Sequence, residues 1–351
     1  MNEASPKDNP VMAPVPGKPL PVDPTKTHQI AEFKHDRALT TCRIDPTGRY
    51  VFAGAEDLNV YRWDLKTGKK LTLAGHESWV RSMTFSPDGI WLLTAGWDGR
   101  IGWWKIDSDT GQPDRMIEAH HGSARWVSVS RDGRLLASCG NDLFVRIWNA
   151  ENGRLVAEMT GHKRHPYAVA FHPEGRQLVS EDLMGAIKVW SVPDGKELQS
   201  IDAGVMTGYD NKFAADMGGA RDMQFTADGR TLACAGITNV KNSFAGVQDP
   251  IVVLVDWKAA KINQILKVAG DFQGVAWGVR FHPNGFVIGA GARQNGRGAI
   301  WFWKPQQPEP FHTVALKKGG RGLDMTPDAR RLAVPQHDGF LRLYQMTAAS
   351  A

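Results

Sequence analysis

The chain has 351 residues, 42% hydrophobic and 23% charged, which is ordinary for a globular protein and excludes collagen-like or wholly disordered chains. The formal net charge of +5 is only mildly basic, so nucleic acid is not an expected partner. No apolar run reaches the roughly 18 residues that a membrane-spanning helix needs, so no membrane span is expected.

Residues 1–26 come first. Seven of the first 24 residues are proline, which predicts an extended or disordered tail without an apolar leader core. Thr27–Phe33 then reads as an edge strand. From about residue 27 to 346 one phrase recurs. Its clearest copy is Gly75-His76, a strand VRSMTF, the turn Ser86–Gly89, a strand WLLTAG, the turn Trp97-Asp98-Gly99 and an aromatic strand. Ser-Pro-Asp-Gly is a hairpin turn by chemistry: Pro presets φ, Asp bonds back to the backbone and Gly takes a positive φ. Versions of it fall at Asp45–Gly48, Ser86–Gly89, Ser130–Gly133, His172–Gly175, Thr226–Gly229, His282–Gly285 and Thr326–Ala329. The third-strand aromatics are Trp63, Trp104, Trp148, Trp190, Trp257, Trp303 and Tyr344, mostly 41 to 46 residues apart. That interval is the period of a four-stranded blade, and the single 67-residue interval before Trp257 predicts insertions there. Cys42, Cys139 and Cys234 lie inside strand-like runs with no metal-type spacing. They read as reduced core residues, hence a cytoplasmic protein. Residues 347–351 form a short C-terminal tail.

A His stands 28 residues before the Trp in four copies (His35–Trp63, His76–Trp104, His120–Trp148, His162–Trp190), and Asp57, Asp98, Asp142 and Asp338 precede their aromatics by six. With these motifs the chain resembles the WD-repeat (WD40) β-propeller family over about residues 27–346. The resemblance implies an all-β, seven-bladed propeller with four antiparallel strands per blade. It also implies a buried network of the His, Asp and Trp residues with Thr94 or Ser138. Met184 replaces the Asp in the fourth copy, and Ile251 and Arg297 replace it in the fifth and sixth, so these blades are expected to rely on apolar packing. The last copy ends after its third strand. Thr27–Phe33 is therefore expected to supply the fourth and close a monomeric ring.

No phosphate-cradling loop, HExxH or nucleophile elbow occurs, so no enzyme, cofactor or metal is expected. His120-His121 and His162 with His165 are read as turn residues rather than ligands. Strand alternation puts the second-to-third turns and the blade-to-blade links on one face, called the top. The enlarged segments all fall there: Gly204–Gly219 with Tyr209, Lys212 and Phe213; Ile237–Asp249 with Lys241 and Phe244; and Ala292–Gly298 with Arg293 and Arg297. Four residues before the end of each first strand stand Thr40, Arg81, Arg125, Tyr167, Arg221, Trp277 and Arg321, expected to ring the top mouth of the channel. Guanidinium forks suit carboxylates, and the rings add stacking area. Local acids such as Glu77, Glu118 or Asp222 are the competing partners of these arginines, and Trp79, Trp97 and Trp126 could anchor a partner or pack blades. The expected function is a non-catalytic scaffold that binds a protein or acidic peptide at this mouth, as the family resemblance also implies. The alternative is a small-molecule- or metal-dependent hydrolytic propeller using Asp210, Asp216, Asp249 and Asp271 near the inserted loops.

Overall fold

The computed structural model describes residues 21–242, 245–268 and 270–348; Phe244 lies outside them. Among the described residues the strands form seven four-stranded antiparallel sheets and one two-stranded hairpin. Blades 1 to 6 cover 39–73, 80–118, 124–159, 166–202, 222–267 and 274–316, each in simple sequential strand order. Blade 7 takes three strands from 324–345 and its outermost from His28–Lys34. That strand runs antiparallel to Phe340–Gln345, with Phe33 opposite Leu341 and Glu32 opposite Arg342. Arg342 Nε donates to Glu32 at 3.1 Å, and Asp23 N donates to the Met346 carbonyl at 2.7 Å. The ring is thus closed by chain ends joined through ladder hydrogen bonds, which removes the exposed sheet edge.

Hairpin chemistry builds each blade. Ser130 Oγ, for example, donates to Asp132 at 2.6 Å within its turn. The seventh turn carries Ala329 at φ +53° where the other six have glycine, a conformation L-residues disfavour. Its carbonyl accepts from His282 Nε2 of blade 6 at 2.8 Å, and His172 Nε2 likewise reaches the Gly229 carbonyl at 3.1 Å. These two turn histidines stitch neighbouring blades together.

Apolar faces are buried between blades. One cluster joins Ala168, Val179 and Ile187 of blade 4 to Leu232, Cys234 and Val253 of blade 5. Trp104, Trp190, Trp301 and Trp303 are almost wholly buried. Each hides on the order of 200 Å², an upper bound of about 5 kcal/mol at 25 cal/mol/Å², so these indoles contribute strongly to adhesion between blades.

Several of these seams hold a paired polar network. In blade 2, Trp104 Nε1 donates to Thr94 Oγ1 at 2.8 Å, the hydroxyl lies 2.7 Å from His76 Nε2, and His76 Nδ1 lies 2.9 Å from Asp98. Burial by itself would raise the Asp98 carboxyl, but the His76 hydrogen bond and charge, together with the N–H groups of Glu77 and Arg100, outweigh it and the group lies below its ordinary range. Blade 3 repeats the arrangement with Trp148, Ser138, His120 and Asp142. In blade 1, His35 meets Asp57 at 2.9 Å, but Ala53 stands where the hydroxyl would be. Blade 4 departs from the expectation set by Met184. Asp182, two residues earlier, takes the carboxylate position 2.9 Å from His162, with Ser180 between His162 and Trp190. The network there is complete, and Met184 sits outside it on the surface. Blades 5 and 6 pack through Val253, Trp301, Trp303 and their apolar neighbours.

The enlarged segments are more regular than loops. Thr231–Asn242 and Val247–Asp256 extend the middle hairpin of blade 5 far beyond its neighbours, so the stretch expected as a loop is largely sheet. Within Gly204–Gly219, a short 3-10 turn leads into the hairpin of Thr207–Asp210 and Ala215–Gly218.

Candidate functional site

The innermost strands line the channel, and each mouth residue is placed there by a local irregularity. Ladder pairing skips between Leu39 and Thr41, Val80 and Ser82, Ala124 and Trp126, Pro166 and Ala168, and Ala276 and Gly278. The skipped residues are Thr40, Arg81, Arg125, Tyr167 and Trp277. A bulge leaves one residue unpaired and re-aims its side chain, which is how the strand start turns a residue toward the opening. Arg221 and Arg321 stand just before the inner strands of blades 5 and 7, held by backbone bonds to Ala235 and Pro335.

The mouth is a chain of stacked cations and rings. Arg81 lies over Trp277 at 4.7 Å, and Trp277 also bears Arg221 at 5.5 Å. Arg221 lies over Tyr167 at 4.8 Å and Arg125 over the same ring at 4.5 Å, with Trp97 at 5.5 Å on the far side. Residues from blades 2 to 6 thus touch one another across the opening. Arg321 stands beside them, paired with Glu56 at 3.2 Å. Thr40 is turned away and donates to the Val80 carbonyl at 2.6 Å.

Local acids leave the other three arginines alone. Glu77 and Glu118 both pair with Arg100, at 2.6 and 2.7 Å. Asp222 points down the channel to Arg43 and Arg280, at 3.2 and 2.6 Å. Among the described residues, Arg81, Arg125 and Arg221 have no carboxylate within ion-pair distance. Arg125 Nε donates to the Asn141 side chain at 2.6 Å, and the buried Arg221 Nε has no hydrogen-bond partner. Burial first, then Arg321, Arg221 and Arg125, push Arg81 down to about 9, so it stays cationic at neutral pH under mutual repulsion. Burial would raise the Tyr167 phenol, yet the charges of Arg221 and Arg125 hold it below its ordinary value. The field at the mouth is therefore positive.

Beneath the mouth a layer of paired charges crosses the channel. Arg280 bridges Asp222 and Asp324, Arg43 reaches Asp222 from the opposite wall, and the Ile44 N–H donates to Asp324 at 2.7 Å. Arg280 and Asp222 are buried. Sequence reasoning missed this floor. The signal was available, because Arg43, Arg280 and Asp324 each stand three residues after a mouth position in the repeat. The cations of the mouth thus contrast with those of this floor, which are neutralised.

The inserted segments distribute their predicted residues unevenly. Tyr209, Lys212 and Phe213 are exposed on the hairpin, and Lys241 is exposed on the lengthened strand of blade 5. Arg293 is tied to Asp271 at 2.9 Å and stacks on Phe272, while Arg297 remains exposed in its turn. Trp79 and Trp97 pair on the top face, with centroids 5.3 Å apart, whereas Trp126 packs between blades. The carboxylates near these insertions are spent locally. Asp210 accepts from the Lys212 N–H, Asp216 from Arg164 and Asp249 from Asn239. Among the described residues no three His, Cys, Asp or Glu side chains converge as a metal site. On the opposite face, a cleft of about 200 Å³ between blades 2 and 3 is below the roughly 300 Å³ at which small-molecule pockets begin. No helix among the described residues is long and apolar enough to cross a membrane.

The blade geometry and its His–Asp–hydroxyl–Trp seams now meet a direct comparison. A family model described as WD domain, G-beta repeat matches residues 27–64, 68–105, 111–149 and 153–191. The chain carries WD40 repeats over residues 27–191 and folds as a seven-bladed β-propeller. The matched stretches are the first four repeats, which carry those polar seams; blades 5 to 7 keep the architecture with different seam chemistry. WD40 propellers typically bind other proteins. The chain is 26% identical over 207 residues to apoptotic protease-activating factor 1 of Rattus norvegicus, covering 58% of this chain and 16% of that protein. It is 28% identical over 173 residues to cilia- and flagella-associated protein 52 of Chlamydomonas reinhardtii, covering 49% and 28%. It is 24% identical over 185 residues to the protein groucho of Drosophila melanogaster, covering 51% and 25%. The similarity thus spans under a third of each relative's length.

Proposed function

We propose that this WD40 propeller is a non-catalytic interaction platform that takes an acidic segment of a partner protein at the top channel mouth. The observation that carries this reading is the set of three arginines, Arg81, Arg125 and Arg221, stacked on rings without a carboxylate partner among the described residues. Stacking covers the guanidinium faces and Asn141 takes the Arg125 Nε–H, while among the described residues the edges meet no carboxylate, which is the shape they fit. Aromatic and Arg side chains are also the types that dominate protein interfaces. The floor formed by Arg43, Asp222, Arg280 and Asp324 is already charge-paired, so the unpaired cations of the mouth are the ones that suit an incoming acid. Three free, buried thiols favour a reducing compartment such as the cytoplasm, and a ring that closes on itself favours a monomer.

The test uses the full chain and fluorescein-labelled hexaglutamate, with hexalysine as control. Hexaglutamate binds, more weakly as salt rises, and Arg81→Glu, Arg125→Glu and Arg221→Glu each weaken it roughly tenfold or more. Arg321→Glu acts less, because Glu56 already occupies that arginine. Unchanged binding in all four folded variants sinks the reading.

A further inference from the structure

Beside the mouth, the hairpin of Thr207–Asp210 and Ala215–Gly218 has two unlike faces. Gly208 turns toward blade 5, where a Cβ would meet that of Val240 at 2.8 Å. Side chains alternate along a strand, so Thr207 and Tyr209 turn the other way, toward blade 4. Thr207 Oγ1 lies 3.8 Å from Met184 Sδ. Asp216, opposite Tyr209 on the same face, accepts from Arg164 Nε at 3.2 Å, which anchors that face to the link between blades 3 and 4. At φ +80°, Gly219 then brings the chain against the Tyr167 ring, where a Cβ would stand 3.0 Å from Cγ. The hairpin face therefore begins at a member of the mouth and runs outward over Met184.

Solvent reaches a run of large apolar groups along this face and its turn: Met184 is 38% exposed, Tyr209 53% and Phe213 52%. The core beneath is filled by the buried Met206 and Ile237, and these three exposed groups lie outside it. An apolar strip continuous with a desolvated cationic socket marks a recognition surface.

We infer that the mouth and this strip form one docking surface for a single extended segment of a partner protein, with an acidic residue in the mouth and bulky apolar residues over Met184, Tyr209 and Phe213. The inference rests on the reading of the mouth as an anion socket. Charge complementarity selects the occupant: a second copy of this chain would bring a net +5 toward the same cations.

Three labelled peptides test it on the full chain: hexaglutamate, hexaglutamate followed by Gly-Leu-Trp-Leu, and Leu-Trp-Leu-Gly followed by hexaglutamate. At least one extended peptide binds roughly ten- to a hundredfold more tightly than hexaglutamate. The double variant Tyr209→Ser/Phe213→Ser erases that gain and leaves hexaglutamate affinity unchanged. Met184→Ser, outside the hairpin, reduces the gain and supplies the same reading if the double variant fails to fold. Equal affinity of all three peptides, or a gain that survives both variants, overturns the strip while the mouth stands. An extended peptide that binds regardless of Arg221→Glu, with hexaglutamate not binding, overturns the joint surface through failure of the mouth.

Discussion

Glu181 is the least comfortable side chain in the propeller. It lies on the second strand of blade 4, wholly buried at the seam with blade 5, and neither carboxyl oxygen has a hydrogen-bond partner. Burial first, and then the neighbouring Asp182 charge, push it up to about 8 from an ordinary 4.5, against the opposing influence of Cys234, Ala220 and Arg221. The folded state therefore holds this proton more tightly than the unfolded chain. Its stabilising effect is complete below about pH 4.5 and is lost as pH climbs through about 8. At about 1.4 kcal/mol per pH unit, the charged form weakens the fold by about 5 kcal/mol in full, of which about 3 kcal/mol is already lost at pH 7. Glu181→Gln keeps the shape and removes the titration. Urea unfolding of both proteins between pH 5 and pH 8 is the assay. The difference in stability should shift in favour of the variant by about 3–4 kcal/mol across that range, since other groups titrate alike in both proteins. Parallel pH profiles would refute the reasoning, because they would mean that Glu181 is hydrated or paired in solution.

Three further outcomes follow from the seams, the floor and the closure. Asp182→Ala should destabilise the propeller by about 2–4 kcal/mol in urea melts, because it strips a buried His162 of its partner, whereas the exposed Met184→Ala should change stability by less than about 0.5 kcal/mol. Arg280→Met should cost about 3–5 kcal/mol by leaving the Asp222 and Asp324 carboxylates short of charge, measured the same way. Deleting residues 1–34 should abolish cooperative thermal unfolding followed by circular dichroism, since it exposes the whole outer edge of Phe340–Gln345.

The blades were legible because a propeller repeats its turn chemistry, so seven hairpin turns and seven aromatics sufficed to count them. Ring closure was legible for a related reason: a missing strand at one end matched a spare one at the other. The mouth could be located by counting along each first strand, but the bulges that aim Arg81, Arg125, Tyr167 and Trp277 could not, since a bulge depends on pairing with the next strand. Asp182 was hidden by fixed spacing. It stands where blade 2 has Gly96, a position at which a Cβ would point at the histidine, so its carboxylate reaches His162 through the same turn, and a spacing rule sees only Met184. The floor pairs were hidden because strand periodicity says which face a residue takes, not which blade across the channel supplies its counter-charge, and Glu181 because periodicity does not say whether that face offers a partner.

Mouth and floor use the same residue type under opposite conditions, and that contrast separates a structural arginine from a functional one. Arg280 gains from its position: although burial opposes its charge, Asp222 and Asp324 more than compensate and hold its pKa above the ordinary value. Arg81 loses, since burial and three like charges depress it and only the distant Glu56 opposes them. The full displacement to about 9 would amount to about 5 kcal/mol, but the side chain keeps some contact with water, so screening reduces this to about 1–2 kcal/mol. Arg81→Met forfeits the contact with Trp277, about 0.5–1 kcal/mol, and relieves the repulsion. It should leave the protein as stable as the parent or up to about 1 kcal/mol more stable in urea, while hexaglutamate affinity falls. A loss of more than about 1 kcal/mol would show that Arg81 supports the fold. Stability gained together with binding lost is the signature of a charge retained for a partner.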